Sequence, residues 1–135
     1  MKALFNSSTI PVLEQVVDFA QSRHSVLAGN LANLDTPGYR VRDLSQEQFE
    51  SKLGEAIRVR DRAPSAGYAG VASSKTDAVS HVSDRVKGMV YHDQGNVGLE
   101  QQITEMSKNQ TRHNLALAIL KSQFRLLEAA VSERA

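Results

Sequence analysis

Near the start of the chain, positions that are apolar except for His24 recur at steps of three and four, the spacing of one face of an α-helix. Thr36-Pro37-Gly38 ends the pattern, because the residue before a proline avoids the helical region and Pro-Gly favours a type II turn. Ser8 or Thr9 can cap the start, with Pro11 in the first turn. The spacing predicts a helix from Thr9 to Leu34 with this stripe: Ile10, Leu13, Val17, Ala20, His24, Leu27, Leu31 and Leu34.

A second stripe with the same spacing runs through the last part of the chain, where neither Gly nor Pro interrupts residues 99–135. It predicts a helix of about 34 residues, roughly 50 Å long. The segment Leu115–Leu120 is apolar on every side, and such a segment is normally buried all round. One antiparallel helix cannot bury it, so the pattern indicates partners from other chains. The stripe consists of Leu99, Ile103, Met106, Gln110, His113, Leu117, Leu120, Phe124, Leu127 and Val131.

The middle of the chain carries weaker patterns. Ser45-Gln46-Glu47-Gln48 has the spacing of a capping box, and apolar residues follow at steps of four, which predicts a short helix over residues 45–58 in spite of Gly54. From Asp61 to Gly95 the chain is rich in Ala, Ser, Gly and Asp without a sustained period, which predicts a weakly structured segment that can include short extended pieces near Ala78 to Tyr91.

The predicted fold class is therefore mainly α. Two long amphipathic terminal helices are expected to form an antiparallel, coiled-coil-like pair, with a short helix and an irregular, partly extended middle between them. We expect three segments: an N-terminal assembly helix and turn over residues 1–39, a variable and partly flexible middle over residues 40–95, and a C-terminal assembly helix over residues 96–135.

Composition narrows the function classes. The 135 residues include 16 Lys and Arg against 15 Asp and Glu, so no global charge attracts nucleic acid or an anionic membrane. The chain has no Cys, which excludes disulfides and thiol chemistry. The longest apolar run, Leu115–Leu120, is far shorter than the roughly 20 residues that span a bilayer. The first residues show neither an apolar h-region nor a cleavage site, so we expect any export to proceed without a cleaved signal peptide.

The four histidines are the first candidates for catalysis or metal binding. His24 and His113 fall on the two stripes, which favours packing or hydrogen bonding between helices. His81 and His92 lie near acidic residues in the middle segment, but no H-x-x-x-H or H-x-H spacing supports a metal site. The glycine-rich segment 67–75 fails the phosphate-loop template. The sequence therefore predicts no catalytic, metal-binding or cofactor-binding residue, and no enzyme.

Asn30 and Asn33 stand out at the end of the first predicted helix. Asparagine is a poor helix former, yet here it continues a packing face. Paired asparagines on such a face indicate specific interhelical hydrogen bonds that fix the register of helix packing, as single polar residues do in coiled coils.

The segment around these asparagines resembles a motif shared by the axial proteins of the bacterial flagellum, A-x-N-[IL]-A-N-x-x-T-P-G-[YF]. Residues 43–53 are similar to the stretch that follows the motif in the proximal rod subunit. Further resemblance lies at the start and along the length of the C-terminal helix. The matching positions are Ala28, Asn30, Leu31, Ala32, Asn33, Thr36, Pro37, Gly38, Tyr39, Asp93, Gly95, Asn96, Val97, Leu99, Glu100, Met106, Asn109, Gln110, Phe124 and Leu127.

Gly98, where the family often has a capping residue, and His113, where tyrosine is common, depart from the pattern.

The resemblance to the flagellar basal-body rod proteins implies a structural subunit needed for motility, without enzymatic activity or cofactor. Such a subunit self-assembles through its terminal helices in the periplasm, connects the membrane-embedded ring to the distal rod and hook, and transmits torque. Its implied partners are further copies of itself, other proximal rod proteins such as FlgC, the rod-to-membrane-ring adaptor FliE and the flagellar type III export apparatus. The resemblance implies neither a membrane span nor a nucleic-acid partner.

Two alternatives remain at this point: a helical-bundle adaptor or regulator that binds a partner helix, and a small enzyme or metal protein that uses His81 and His92. Under the leading hypothesis the expected assembly interface consists of Leu13, Val17, Leu27, Asn30, Leu31, Asn33, Thr36, Pro37, Gly38, Tyr39, Asn96, Ile103, Met106, Asn109, Leu117, Leu120, Phe124 and Leu127.

Overall fold

The structure, a computed structural model, describes residues 9–62, 79–87, 90–92 and 98–132. Its elements follow the order α1 (Ile10–Ala32), β1 (Arg42–Leu44), α2 (Gln46–Arg62), α3 (Val82–Lys87), β2 (Val90–His92) and α4 (Leu99–Ser132). The predicted mainly α class, with long terminal helices and a short helix between them, is confirmed.

Helix α1 ends two residues before the predicted boundary at Leu34. Asn33 occupies its C-cap, and the backbone N–H of Asn33 donates to the carbonyl of Gly29 at 3.2 Å. A tight turn follows, in which the N–H of Tyr39 donates to the carbonyl of Thr36 at 3.1 Å. Gly38 has φ +77°, as the third position of a type II turn requires. The predicted turn at Thr36-Pro37-Gly38 is therefore confirmed.

Helix α2 begins where the capping box predicts. The side chain of Ser45 accepts a hydrogen bond from the N–H of Gln48 at 3.3 Å. The helix continues past Gly54 and past the predicted end at residue 58, to Arg62. Phe49, Leu53 and Ala56 are buried on the same side of the helix, which explains why it continues through Gly54.

An apolar core joins α1, α2 and α3. The rings of Phe19 and Phe49 stack with centroids 4.1 Å apart and planes within 6°. Buried around this pair are Leu44, Leu53, Ala56, Val79, Val82 and Val86.

Helix α3 corrects the prediction that the region after Asp61 lacks regular structure. Val79, Val82 and Val86 follow helical spacing and are all buried, a period too short to stand out in the sequence. Ser83 ties α3 to α1, since its hydroxyl donates to Asp18 at 2.6 Å and its N–H donates to Gln15 at 3.1 Å. Residues 63–78, 88–89 and 93–97 lie outside the described residues, and so does the glycine-rich segment.

The strands β1 and β2 form an antiparallel pair in which Arg42 lies opposite His92 and Leu44 opposite Val90. The predicted extended pieces near Ala78 to Tyr91 are therefore confirmed only at Val90 and Tyr91, and the prediction is wrong for Val82–Lys87, which is helical. Strand β1 follows the turn after α1, and its pairing with β2 holds this part of the chain in place.

Helix α4 has the predicted length of 34 residues, about 51 Å, whereas α1 has 23 residues, about 35 Å. The two helices make the most extensive contact in the described part of the molecule. Among the described residues, no helix combines the length and the apolar character that crossing a bilayer requires.

Candidate assembly interface

Helices α1 and α4 pair antiparallel, as three side-chain contacts show. Asn30 donates to Gln102 at 3.3 Å, Arg23 donates to Glu105 at 3.1 Å, and Asn109 donates to the carbonyl of Ala20 at 2.7 Å. Residue numbers fall along α1 as they rise along α4, so the predicted antiparallel pair is confirmed. We call this contact the α1–α4 seam. Continuing its pairing places Ile10 near Ile119, so that the last turns of α4 extend past the first residue of α1.

Asn30 is the centre of a polar network at one end of the seam. It is completely buried. Its side-chain amide donates to the carbonyl of Arg42 at 2.6 Å and to Gln102, while its side-chain oxygen accepts from the N–H of Arg42 at 3.0 Å and from the hydroxyl of Tyr39 at 3.2 Å. A buried amide with all these partners satisfied stabilises one geometry. The predicted interhelical hydrogen bond is thus found at Asn30.

Asn33 behaves differently from the prediction. Its side-chain amide donates to the carbonyl of Gly29 at 2.8 Å, within the same helix, and its oxygen lies 3.5 Å from the hydroxyl of Thr36. Asn33 therefore completes the end of α1 and leads into the turn. The prediction that both asparagines bond across the helices is wrong for Asn33, because this residue lies at the C-cap, where the last carbonyls need donors.

Arg23 forms an ionic contact across three elements. Its side chain is 5% exposed, and its guanidinium donates to Asp43 of β1 through two nitrogens at 2.9 and 2.7 Å and to Glu105 of α4 at 3.1 Å. Hydrogen bonding to Asp43 raises the pKa of Arg23 despite the opposing effect of burial. Its Nη1 atom is buried without a hydrogen-bond partner among the described residues. Arg23 is therefore held charged inside the seam.

Glu105 receives a second cation from its own helix. Lys108 lies 2.9 Å away, and its hydrogen bond is the largest of the effects that lower the pKa of Glu105, followed by the bond from Arg23 and opposed by partial burial. The carboxylate side chain is 29% exposed. Both partners of Arg23 thus keep some contact with solvent.

The row of α4 that meets α1 is polar rather than apolar. Gln102 and Asn109 are buried, whereas Leu99 and Ile103 are 46% and 50% exposed. Leu99 and Ile103 of the predicted stripe therefore do not pack against α1, because Gln102, Glu105 and Asn109 have the same spacing one position away and possess specific partners on α1. Arg23, Gln102 and Glu105 were missed for this reason: periodicity alone does not tell which of two adjacent rows faces a partner.

The expected interface residues divide into three groups. Leu27, Asn30 and Asn109 are buried within the chain itself, nine residues are half-buried, and Thr36, Pro37, Gly38, Ile103 and Phe124 are exposed. Asn96 lies outside the described residues. The half-buried group is Leu13, Val17, Leu31, Asn33 and Tyr39 and, in α4, Met106, Leu117, Leu120 and Leu127.

Two exposed apolar rows lie on the flanks of the seam, at helical spacing along α4. The first row consists of Leu99, Ile103, Phe124 and Val131, and the second of Leu115, Ile119 and Leu126. The single chain does not bury residues 115–120 all round, as expected for a helix with one partner: Leu115 is 60% and Ile119 is 41% exposed, and within this segment only Ala116 is fully buried.

The second row borders a groove of about 280 Å³ between α1, α2 and α4. Its lining is mostly apolar and includes Leu13, Val16, Leu53, Leu115 and Ile119. A groove of this kind offers an amphipathic helix a place to bury its apolar face.

The two histidines of the stripes line one cleft in the seam together with Asn109. His24 and His113 are half-buried, and the Nδ1 atom of each is buried without a hydrogen-bond partner in the described residues. His81 instead lies at the surface, with its Nδ1 3.7 Å from Asp84. No group of three or more His, Cys, Asp or Glu able to bind a metal ion is found in the described part of the chain.

A comparison with known protein families matches one segment of the chain. Residues 20–40 match the family described as "Flagella basal body rod protein". This segment contains Arg23, the whole Asn30 motif and the turn at Gly38. The predicted resemblance to the flagellar basal-body rod proteins is confirmed.

Relatives with similarity along most of their length are all rod proteins named FlgB. The chain is 28% identical to the flagellar basal body rod protein FlgB of Salmonella typhimurium, over 83% of this chain and 84% of the relative. It is 28% identical to FlgB of Bacillus subtilis, over 93% and 95%, and 26% identical to FlgB of Aquifex aeolicus, over 93% and 94%. No solved structure matches the chain. The similarity to FlgB therefore extends along most of both chains.

Proposed function

We propose that this chain is a structural subunit of the flagellar basal-body rod that polymerises through its terminal helices. The relatives named FlgB and the rod-protein match support the subunit. The observation that carries polymerisation is the exposure of apolar rows on both flanks of the α1–α4 seam. Large apolar side chains arranged at helical spacing on a surface mark a protein–protein contact.

Two apolar rows on different sides of one helix favour an open assembly. A single patch that meets itself closes a dimer, whereas two different surfaces that meet each other continue from subunit to subunit. A rod requires the second kind of association. The segments 1–39 and 96–135 are assigned to this contact, and the segment 40–95 to the outside of the assembly, where α2 and α3 pack against α1.

The finer placement of the subunit follows from its similarity to FlgB. We infer a proximal position that connects the membrane-embedded ring to the distal rod and hook and transmits torque, in the periplasm after export without signal cleavage. Its partners are further copies, neighbouring rod proteins such as FlgC, the adaptor FliE and the type III export apparatus. The chain performs this role without catalysis.

The test substitutes the first row without disturbing the fold. In the source bacterium, Ile103→Asp and Phe124→Asp place a carboxylate on an exposed apolar position, which the subunit alone tolerates and a buried contact does not. We expect loss of motility and absence of rods in isolated basal bodies, with unchanged helicity of the purified subunit by circular dichroism.

Matched controls are Gln101→Asp and Ser122→Asp, which add the same charge at exposed polar positions of α4. We expect both control strains to be motile. Normal motility and intact rods in the Ile103→Asp and Phe124→Asp strains would contradict assembly through this row.

A further inference from the structure

Either of two adjacent rows of side chains on α4 could pack against α1 in the seam. Leu99, Ile103 and Met106 form an apolar row, and Gln102, Glu105 and Asn109 form a polar row displaced by one position. Burial of apolar surface alone favours the apolar row inside, because transfer of Leu and Ile side chains from water is favourable and transfer of amides and carboxylates is not. The structure has the reverse arrangement. Asn109 is 1% exposed, and Ile103 is 50% exposed.

Directed polar contacts explain the reversal. Arg23, which is 4% exposed, donates to Glu105 at 3.1 Å while β1 neutralises it through Asp43. Asn109 donates to the carbonyl of Ala20 at 2.7 Å, and Asn30 donates to Gln102 at 3.3 Å. Rotating α4 by one position, about 100°, would break all of these contacts across the seam at once.

We propose that Arg23, Asn30, Gln102, Glu105 and Asn109 form a rotational lock that keeps the apolar row of α4 turned out of the seam. Buried polar residues fix register and orientation in coiled coils at a cost in stability. Because of the lock, less apolar surface is buried within the chain, and Leu99 and Ile103 stay exposed where a neighbouring subunit can contact them. That last consequence rests on the proposed function, whereas the lock itself is a property of the single chain.

The absence of cysteine from the chain makes thiol labelling a direct test. Ile103→Cys reports on the outer row, and Ala116→Cys reports on the seam at a small, buried position that is not part of the lock. Labelling rates are measured on the monomer, verified by sedimentation. We expect the Ile103→Cys thiol to react at least about tenfold faster than the Ala116→Cys thiol, since opening of the helix pair must precede reaction at the buried site.

The lock is then removed by Arg23→Ala, Glu105→Ala and Asn109→Ala together. The ratio of the two labelling rates should fall by about tenfold or more, the effect expected from loss of even one charge-assisted hydrogen bond. The Ile103→Cys thiol becomes slower and the Ala116→Cys thiol faster, because the apolar row turns inward. The matched control carries Asn114→Ala, Arg125→Ala and Glu128→Ala, the same residue types at exposed positions of α4, and should keep the native ratio.

An unchanged ratio in a helical, monomeric lock variant would overturn the proposal, and so would an equal change in the control. If the triple variant loses its helicity, the single variant Glu105→Gln is labelled instead. This variant should stay folded, because Arg23 still pairs with Asp43. We expect the ratio to fall about threefold or more there, and an unchanged ratio rejects the lock. Because labelling concerns the monomer, a failure of rod assembly with an intact labelling pattern would contradict only the proposed function.

Discussion

Helix α1 makes two contacts, one helical turn apart, that follow different physics. Around Phe19 it packs against α2 and α3 through stacked rings and buried valines. Around Arg23 it meets α4 through an ion triad and buried amides. Apolar burial is strong but without direction, whereas hydrogen bonds are weak in net terms but fix distance and orientation. The first contact therefore holds the middle of the chain, and the second decides how the terminal helices face each other.

The largest expected effect breaks the apolar contact. Phe49→Ala removes a fully buried ring that stacks on Phe19, and truncation of a buried phenylalanine costs about 3–5 kcal/mol. The free energy of unfolding, measured by urea denaturation with circular dichroism, should fall by that amount. Phe124→Ala, at a ring that is 46% exposed, should change it by less than about 0.5 kcal/mol. Equal losses in the two variants would contradict the location of the core.

Removing the cation from the polar contact should cost less. Breaking a fully buried ion pair costs about 3–5 kcal/mol, but Asp43 and Glu105 keep contact with solvent, so we expect about 2 kcal/mol for Arg23→Ala. The same urea experiment measures it, and a double-mutant cycle with Glu105→Ala isolates their coupling. Arg125→Ala, at an exposed position of α4, serves as the control and should be nearly neutral. A loss in Arg23→Ala as large as that in Phe49→Ala would show that the contrast between the two regions is wrong.

The turn that brings β1 to the polar contact gives a third, smaller effect. Gly38→Ala places a side chain at φ +77°, which should destabilise the chain by about 1 kcal/mol. Gly54→Ala, within α2 and with open space around its Cα, should stabilise by about 0.5–1 kcal/mol because alanine is the better helix former. Thermal unfolding of both variants measures the change in stability, which should be negative for Gly38→Ala and positive for Gly54→Ala. A change of the same sign in both variants would contradict the positive φ of Gly38 in the turn.

The smallest effect is a dependence on pH confined to the polar contact. The pKa of Glu105 lies below its ordinary value of 4.5, so the folded state binds its proton less readily than the unfolded state. The stabilisation that ionised Glu105 contributes to the folded state is complete above pH 4.5. It is lost as the pH falls through the lowered pKa that Glu105 has in the folded state. Its size should be below about 1 kcal/mol, since the group is partly exposed.

Urea midpoints above and below pH 4.5 provide the measurement. The difference in stability between the native chain and Glu105→Gln should shrink in acid, and Glu55→Gln, at an exposed position of α2, should track the native chain throughout. A difference that grows in acid would contradict the sign.

Much of the fold was predictable because it depends on local patterns. The stripe from Ile10 to Leu34, the capping box at Ser45 and the Pro37-Gly38 turn each predict an element or a boundary that the structure contains. Helix α3 was missed, since three valines define too short a period to be distinguished from chance until Phe49 supplies the surface that they cover.

The sequence by itself determined that this chain has two long terminal helices with more apolar surface than they can bury in each other, and it pointed to Asn30 as a specific contact. Only the tertiary structure decided which row of α4 faces α1. Periodicity measures where apolar residues lie on a helix, but the choice between adjacent rows depends on partners far away in the sequence. Arg23 and the carbonyl of Ala20 are those partners, and they select Glu105 and Asn109 over Ile103.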